Sequence, residues 1–532
     1  MIQIRPLFAR ATLAAALVVG TVSAAEAETV FHRGNGSEPE TLDPGLSTGV
    51  PEHHIQMDVF EGLVAPGPDS EPIPGVAESW EIGDDGLTYV FHLRENAKWS
   101  DGSPVTAEDF VYAWRRLVNP ETAADYAYFL WPVRNGKAIS EGNAEPEELG
   151  VEARDEKTFV VTLEAPAPYF IDMLTHHSTY PVPKAVVEEF GNEWTRPGNI
   201  VSNGAFRITE WVPQSHIKAV RNEHFHAADE VKLDAVVYYP TEDREAELRR
   251  FRAGELDYTY DVPAQQIPWI QQNMPDQFRN TPYLGTYFYA FNVTAEPFKD
   301  NPALRKALAL AIDRDILTEK VTQGGEIPAY GWVPPGMEGY QQQQLEWASW
   351  TQEQRNEEAK KLFAEAGYGP DNPLTVEILY NTDDNHRKIA IAVAGMWKQV
   401  LGDVNATLRN EEWKVYLETR DQLQFQVVRA GWIGDYRDPY TFLSYLRSDI
   451  GEQNPSGYKN ADYDRLNDES TVETDAEKRM AIMAEAERIL LADLPIMPIY
   501  FYSQQHMVAD HVKGWEPNIM DYHPSRFITV ER

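Results

Sequence analysis

The chain has 532 residues, with 47 lysines and arginines against 84 acidic residues and a formal net charge of −37. A surface of that sign repels polyanions, so nucleic acid and anionic membrane faces are excluded as partners. There is no cysteine, which removes disulfides, thiolate metal sites, a cysteine nucleophile and a lipid-modified amino-terminal thiol.

The first residues read as a secretory signal. Arg5 and Arg10 supply a positive start, residues 11–22 are apolar, and Ala25-Glu26-Ala27 fits cleavage after Ala27. The apolar run is too short to span a bilayer, and no later stretch reaches about eighteen apolar residues. Residues 1–27 are therefore expected to be removed, leaving a soluble, exported chain in the periplasm that is not a lipoprotein. At 42% hydrophobic residues it is globular material of roughly three domain-sized units.

Strand-like runs occur at residues 88–93 and 158–163, the second ended by Ala165-Pro166-Ala167-Pro168. Thr106 and Asp109 have capping-box spacing ahead of an apolar-periodic run at 110–117. Asn301-Pro302 opens a helix through Ala311. Further amphipathic helices are expected at 355–366, stopped by Gly367, at 389–401, stopped by Gly402, and at 475–494, before Pro495. The glutamine run 341–344 reads as a solvated loop. Interleaved strands and helices predict a mixed α/β (α+β) fold.

Catalytic patterns are sparse. Histidines pair at His53-His54, His176-His177 and His224/His226, but none has the spacing of a zinc-binding helix and no carboxylate repeats beside them, so no metal site is expected. Phosphate loops, dinucleotide fingerprints and nucleophile elbows are absent, and no cofactor is expected. The 14 Trp, 26 Tyr and 21 Phe beside many acids also suit a secreted hydrolase with two carboxylates. Nothing in the sequence selects such a pair, and the chain is read as a non-enzyme.

The most informative segment follows the strand-like run 425–428. Arg429-Ala430-Gly431-Trp432-Ile433-Gly434-Asp435 sets a guanidinium, two glycines, an indole and a carboxylate within seven residues. A carboxylate can hold an ammonium, a guanidinium can fork onto a carboxylate, and glycine lets another backbone approach. Both charges needed to hold an extended zwitterion, such as a short peptide, are present.

Several motifs in order resemble the periplasmic oligopeptide-binding proteins of ABC importers, within the family-5 solute-binding group. They are Glu40-Thr41-Leu42-Asp43-Pro44, Phe60-Glu61-Gly62-Leu63, Trp99-Ser100-Asp101-Gly102, Val201-Ser202-Asn203-Gly204-Ala205-Phe206 and Ala311-Ile312-Asp313-Arg314. The resemblance runs from about Glu38 to the carboxy terminus. It implies a three-lobed binding protein of the cluster C type. Its two hinged lobes would be 28–60 with 185–284 and 503–532, and 285–502, with an extra lobe at 61–184. It implies short peptides as ligand, an inner-membrane ABC permease as partner, and a monomer.

By the same resemblance Asp435 would hold the peptide ammonium, and Arg429 and His386 would be cations receiving peptide carboxylates. Val50, Tyr126, Gly431 and Ile433 would meet the peptide backbone, while Trp413, Arg420 and Trp432 would line side-chain pockets. Thr322 stands where some members carry a lysine, and Thr48 where some carry an acid. Gly285 and Ile433 stand where some carry a disulfide. The same fold binding a murein peptide, a dipeptide or an opine-like compound is the alternative reading.

Overall fold

Three larger sheets hold most of the strands, beside two two-stranded ones, Val64–Pro66 with Pro72–Pro74 and Val512–Lys513 with Thr529–Val530. Val30–Gly34 pairs in parallel with Ala235–Tyr239, and the sheet continues antiparallel through His216–Arg221 to Phe206–Val212. A second, antiparallel sheet is ordered Ala77–Ile82, Thr88–Leu93, Thr158–Thr162, Val151–Asp155. The third has six strands in the order Ile327–Pro328, Ile496–Met507, Phe278–Phe291, Val427–Ile433, Leu374–Asn381, Val404–Glu411. These positions come from a computed structural model that describes residues 28–337 and 339–532, so the expected signal segment lies outside the described residues.

Local chemistry explains the elements. In the second sheet, Thr88–Leu93 alternates half-buried and buried side chains, the pattern of a strand with one covered face. The helix Ala107–Val118 covers it, with Trp114 edge-on to Phe159 at 5.2 Å. Its start is fixed as expected: the Thr106 backbone N–H donates to the Asp109 carboxylate at 2.8 Å. In the third sheet the second half of Phe278–Phe291 is buried on both faces, as a central strand between helical layers must be. The mixed α/β reading therefore holds, and no helix of the described residues is long and apolar enough to cross a membrane.

Three boundaries differ from expectation, the smallest being the helix expected from 355, which begins at Gln352 behind the Thr351 cap. The helix expected from 389 begins at Asp384, because the Asp383 side chain accepts from the Asn385 and His386 backbone N–H groups and starts the helix five residues earlier. The strand expected at 425–428 instead spans Val427–Ile433, so Arg429 lies inside a strand and not after one. Pairing with Phe278–Phe291 supplies the main-chain bonds that local propensity could not announce.

The longest pairing joins Phe278–Phe291 to Ile496–Met507, with its register broken between Pro282 and Thr286. On one side of the break Phe278 to Pro282 face Ser503 to Met507; on the other Thr286 to Ala290 face Ile496 to Phe501. A bulge bends a ribbon locally while keeping its two ends paired.

The helix Ala476–Asp493 is tied to the segment after the third-sheet strand by a buried ion pair. Arg479 donates to both Asp438 oxygens at 2.7 and 2.9 Å, with its guanidinium 4.8 Å over the Tyr169 ring. Removing one partner strands the other charge in the interior. Asp438→Ala is expected to lower stability by about 3–5 kcal/mol, read as a shift in the urea midpoint; a loss under about 1 kcal/mol would contradict it.

Candidate functional site

The strand Val427–Ile433 has two different edges. One pairs along its length with the central strand, from Gly285 opposite Ile433 to Phe291 opposite Val427. The other pairs with Leu374–Asn381 only at Val427 and Val428. Among the described residues, 429–433 therefore have no strand on that side. Two adjoining cavities of about 180 and 110 Å³ border that stretch.

The direction of the main-chain groups follows from hydrogen-bond parity. The Arg429 carbonyl accepts from the Tyr416 hydroxyl, and the Gly434 N–H donates to the Leu284 carbonyl at 2.7 Å. Groups point to alternate sides along an antiparallel strand. Gly434, with Trp432 and Ala430, is bonded to the central strand, so the main-chain groups of Gly431 and Ile433 face the cleft. Gly431 has a second constraint: a Cβ there would lie 2.4 Å from the Tyr502 hydroxyl.

All ten residues singled out in the sequence line these two cavities. Arg429, His386, Trp413, Val50, Gly431 and Ile433 border the larger. Asp435, Arg420, Tyr126 and Trp432 border the smaller, which shares Val50, Trp413, Gly431 and Ile433.

Arg429 is buried and has no carboxylate partner among the described residues. It donates to Asn381 Oδ1 at 3.1 Å and to the Tyr502 hydroxyl at 2.8 Å, and lies 4.7 Å over the Tyr287 ring. Its Nε has no partner. A guanidinium keeps its charge under these conditions, so a cation is held among neutral groups.

Asp435 is the converse. Its Oδ1 accepts from the Tyr126 hydroxyl at 3.1 Å, its Oδ2 from the Thr441 hydroxyl at 3.4 Å, and no lysine or arginine answers it among the described residues. Burial pushes its carboxyl up to about 7, against the opposing hydrogen bonds from Tyr126 and Thr441. His176 Nε2 stands 3.5 Å from Oδ1.

Several members differ in kind from expectation. His386 is buried, and desolvation and then the Arg429 charge hold it well below its ordinary pKa, which disfavours the charged form expected of it. Val50 opens the helix Val50–Val59, so it meets the cleft at a helix amino terminus where N–H groups are free, not as part of a strand. Tyr126 spends its hydroxyl on Asp435. Arg420 is tied to Asp421 at 2.7 Å, and the Trp432 indole donates to the Thr441 carbonyl at 2.8 Å while stacking on Tyr445 at 3.8 Å. Gly285 and Ile433 face each other as neighbours in register. Thr322 is buried and donates to Glu326 at 2.9 Å.

Other cleft groups escaped sequence reasoning. Arg244 bridges Asp261 at 2.6 Å and Asp383 at 2.9 Å across the larger cavity. Tyr502 and Asn381 come from distant segments that no local pattern marks, and His176, noted only as half of a histidine pair, was given no place in the cleft. Thr441 was within reach, six residues beyond Asp435 in the same segment.

Fold and cleft together define a multi-lobed solute-binding protein. The model for bacterial extracellular solute-binding proteins, family 5, matches residues 71–454, and the chain belongs to that family. It is 44% identical over 512 residues to the periplasmic oligopeptide-binding protein OppA of Salmonella typhimurium, spanning 96% of this chain and 93% of that protein. Haemophilus influenzae OppA in complex with the peptide RPPGFSPFR superposes with a TM-score of 0.92 at 40% identity, covering 95% of this chain and 99% of that one. The Escherichia coli murein tripeptide binding protein MppA also gives 0.92, at 39% identity and 95% and 99% coverage. MppA in its unliganded open form gives only 0.66 at the same identity, over 94% and 97% of the two chains. The chain therefore superposes better on the former pair of structures than on the open one.

The electrostatics of the empty cleft are directly testable. In ligand-free protein with the lobes closed as here, the Asp435 carboxyl should titrate near 7 by carboxyl-carbon NMR. Tyr126→Phe removes a donor to the charged form, so the value should rise further. A midpoint in the ordinary carboxylate range would contradict the burial described.

Proposed function

We propose that the chain is the periplasmic substrate-binding component of an ABC importer, which captures short oligopeptides in a closing cleft and delivers them to an inner-membrane permease. The observation that carries this is the free edge at 429–433, bracketed by a buried cation without an anion and a buried anion without a cation. A peptide laid along that edge bonds its main chain to Gly431 and Ile433, as an added strand. Its ammonium meets Asp435 and its carboxylate meets Arg429, with His386 as a further donor or acceptor. Trp413, Arg420 and Trp432 border the side-chain space, and Val50 offers a helix-terminal N–H. Main-chain bonds and terminal charges are common to all peptides, so affinity is obtained without reading sequence.

We propose the lobes as 28–60, 185–284 and 503–532 for the first, 61–184 for the extra lobe, and 285–502 for the third, in a monomer exported by removal of 1–27. The register break at Pro282/Thr286 lies beside the proposed crossings at 284/285 and 502/503, which suits a hinge. Arg244 and Asp383, on different proposed lobes, form a contact that closure completes. Binding and release need no bond cleavage, which supports a carrier over an enzyme. A murein peptide is the second reading, favoured by the likeness to MppA.

Native mass spectrometry of the mature protein before and after unfolding tests this reading. A ladder of released peptides supports it, and one discrete muropeptide mass supports the second reading. An empty protein that also ignores added tri- to pentapeptides would defeat both. Asp435→Ala should weaken peptide binding by about 2 kcal/mol or more, because it leaves the ammonium buried without its partner. N-acetylated peptides should lose a similar amount.

Affinity should also depend on pH with a definite sign. The ammonium binds the ionised carboxylate, and Asp435 in the empty cleft becomes protonated as pH falls through about 7. Binding should therefore be at least about tenfold weaker at pH 5 than at pH 7.5, and Asp435→Asn should flatten this dependence. An unchanged affinity across that range would remove Asp435 from the ammonium site.

A further inference from the structure

The histidine pairs that lack metal-ligand spacing along the chain are brought together in space. His53 comes from the helix Val50–Val59, and His176 and His177 from the turn His177–Thr179 and its cap. One donor atom from each of the three lies within 4.8 Å of the others, and all three rings are buried. They border the smaller cavity beside Asp435.

Hydrogen bonding fixes which nitrogens are available. His177 Nε2 stands 3.2 Å from the Ser47 carbonyl, which can only accept, so Nε2 carries the proton and Nδ1 is a lone pair. That lone pair faces His53 Nδ1 at 2.9 Å. His176 Nδ1 accepts from the Ser178 backbone N–H at 3.4 Å and lies 2.9 Å from the Ser178 hydroxyl. Its Nε2, 3.5 Å from Asp435 Oδ1, therefore carries the proton in the empty cleft and must give it up or shift it to Nδ1 before a metal can bind there. Burial also disfavours protonation of all three rings.

Four donors about 2.0–2.1 Å from one centre lie roughly 3.3 Å apart in a tetrahedron. The His53–His177 contact of 2.9 Å and the His176–Asp435 contact of 3.5 Å lie near that separation. The three ring nitrogens are only within 4.8 Å of one another, so the rings must draw in to meet one ion. Two of the three rings place their outer nitrogen against an oxygen, Ser47 O and Ser178 Oγ, which is the arrangement that orients metal-bound imidazole. In the empty cluster His53 Nδ1 is spent on His177 Nδ1, and His53 Nε2 is buried with no partner. The other histidine-carboxylate group, His506, Asp521 and His523, needs no ion. There Asp521 Oδ1 takes both rings at 2.9 Å, and His506 Nδ1 reaches the Thr259 carbonyl at 3.0 Å.

We propose that His53, His176, His177 and Asp435 form a binding site for a divalent transition metal of the zinc class, at the ammonium end of the cleft. Three imidazoles and one carboxylate suit Zn²⁺ over magnesium or calcium, which take oxygen donors. Asp435 is the only donor shared with the peptide reading, and the metal alone is the probe, so failure here leaves that reading standing.

The test uses untagged, full-length mature protein, stripped of ligand and chelated, then titrated with Zn²⁺ by calorimetry and with Co²⁺ by visible absorption. One Zn²⁺ per chain and the intense visible bands of tetrahedral Co²⁺ are expected. His53→Ser and His177→Ala should each weaken the metal at least about tenfold and remove the bands, while His224→Ala changes neither. Melting temperatures screen the variants for folding, and the Co²⁺ spectrum of the wild type stands independently of them. Absence of tetrahedral bands in the wild type, or equal metal affinity in folded His53→Ser and His177→Ala, overturns the site.

Discussion

A charge taken out of water must be answered, and in this cleft two are not. Asp435 is buried among hydroxyls and a neutral imidazole, and Arg429 among an amide, a phenol and an aromatic face. Desolvating each costs several kcal/mol when no opposite charge repays it. The two cannot answer each other, because four residues of strand, about 13 Å at 3.3 Å per residue, already separate Arg429 from Ile433, before Asp435. The fold therefore holds a stored electrostatic deficit that an extended zwitterion relieves at both ends. Asp435 lowers the cost by sharing a proton near neutral pH; Arg429 has no such route and relies on dipoles and the Tyr287 ring.

The surrounding architecture keeps that deficit in place. Complete pairing of Val427–Ile433 on both edges would have produced an ordinary central strand. Its early separation from Leu374–Asn381 leaves Gly431 and Ile433 with main-chain groups directed at open space. Tyr502 links this edge to the charge: its hydroxyl holds Arg429 and occupies the space that a side chain on Gly431 would need. Glycine at 431 thus serves both the approach of a ligand backbone and the position of the guanidinium. Compensated charge is used elsewhere in the same cleft. Arg244 is matched by two carboxylates from separate segments, so it resists titration and joins segments rather than attracting ligand.

How much of this was legible depends on whether the determining contacts are local. The capping box at Thr106/Asp109 and the asparagine cap before Pro302 were readable because both partners lie within three residues. The start of Asp384–Leu401 was missed although its cap, Asp383, is local, because apolar periodicity begins only at Ile389. Arg429, Gly431 and Asp435 were legible as chemistry, since one segment carries them all. Their setting was not: Tyr502, Asn381 and His176 arrive from elsewhere in the chain. The lowered pKa of His386 depends on burial and on Arg429, neither of which has a sequence signature. Val50 was singled out only through the resemblance, and its place at the start of the helix Val50–Val59 had no part in that reading.

The histidines carry the same lesson in reverse. Metal spacing along one helix requires ligands at fixed intervals, and none of the pairs satisfies it. Spatial assembly is free of that restriction: a helix start and a short turn more than a hundred residues apart place three rings beside Asp435. The Ser178 hydroxyl within the turn and the Ser47 carbonyl outside it hold the two rings, so they are oriented before any ligand arrives. A carboxylate with no cation of its own, flanked by rings that burial keeps unprotonated, presents electron pairs to whatever positive group enters. An ammonium meets that surface with N–H donors directed at Asp435, whereas a metal ion would draw all four groups onto one centre. The two cations therefore compete for one carboxylate, and the three imidazoles decide the contest by adding coordination that an ammonium cannot fully use.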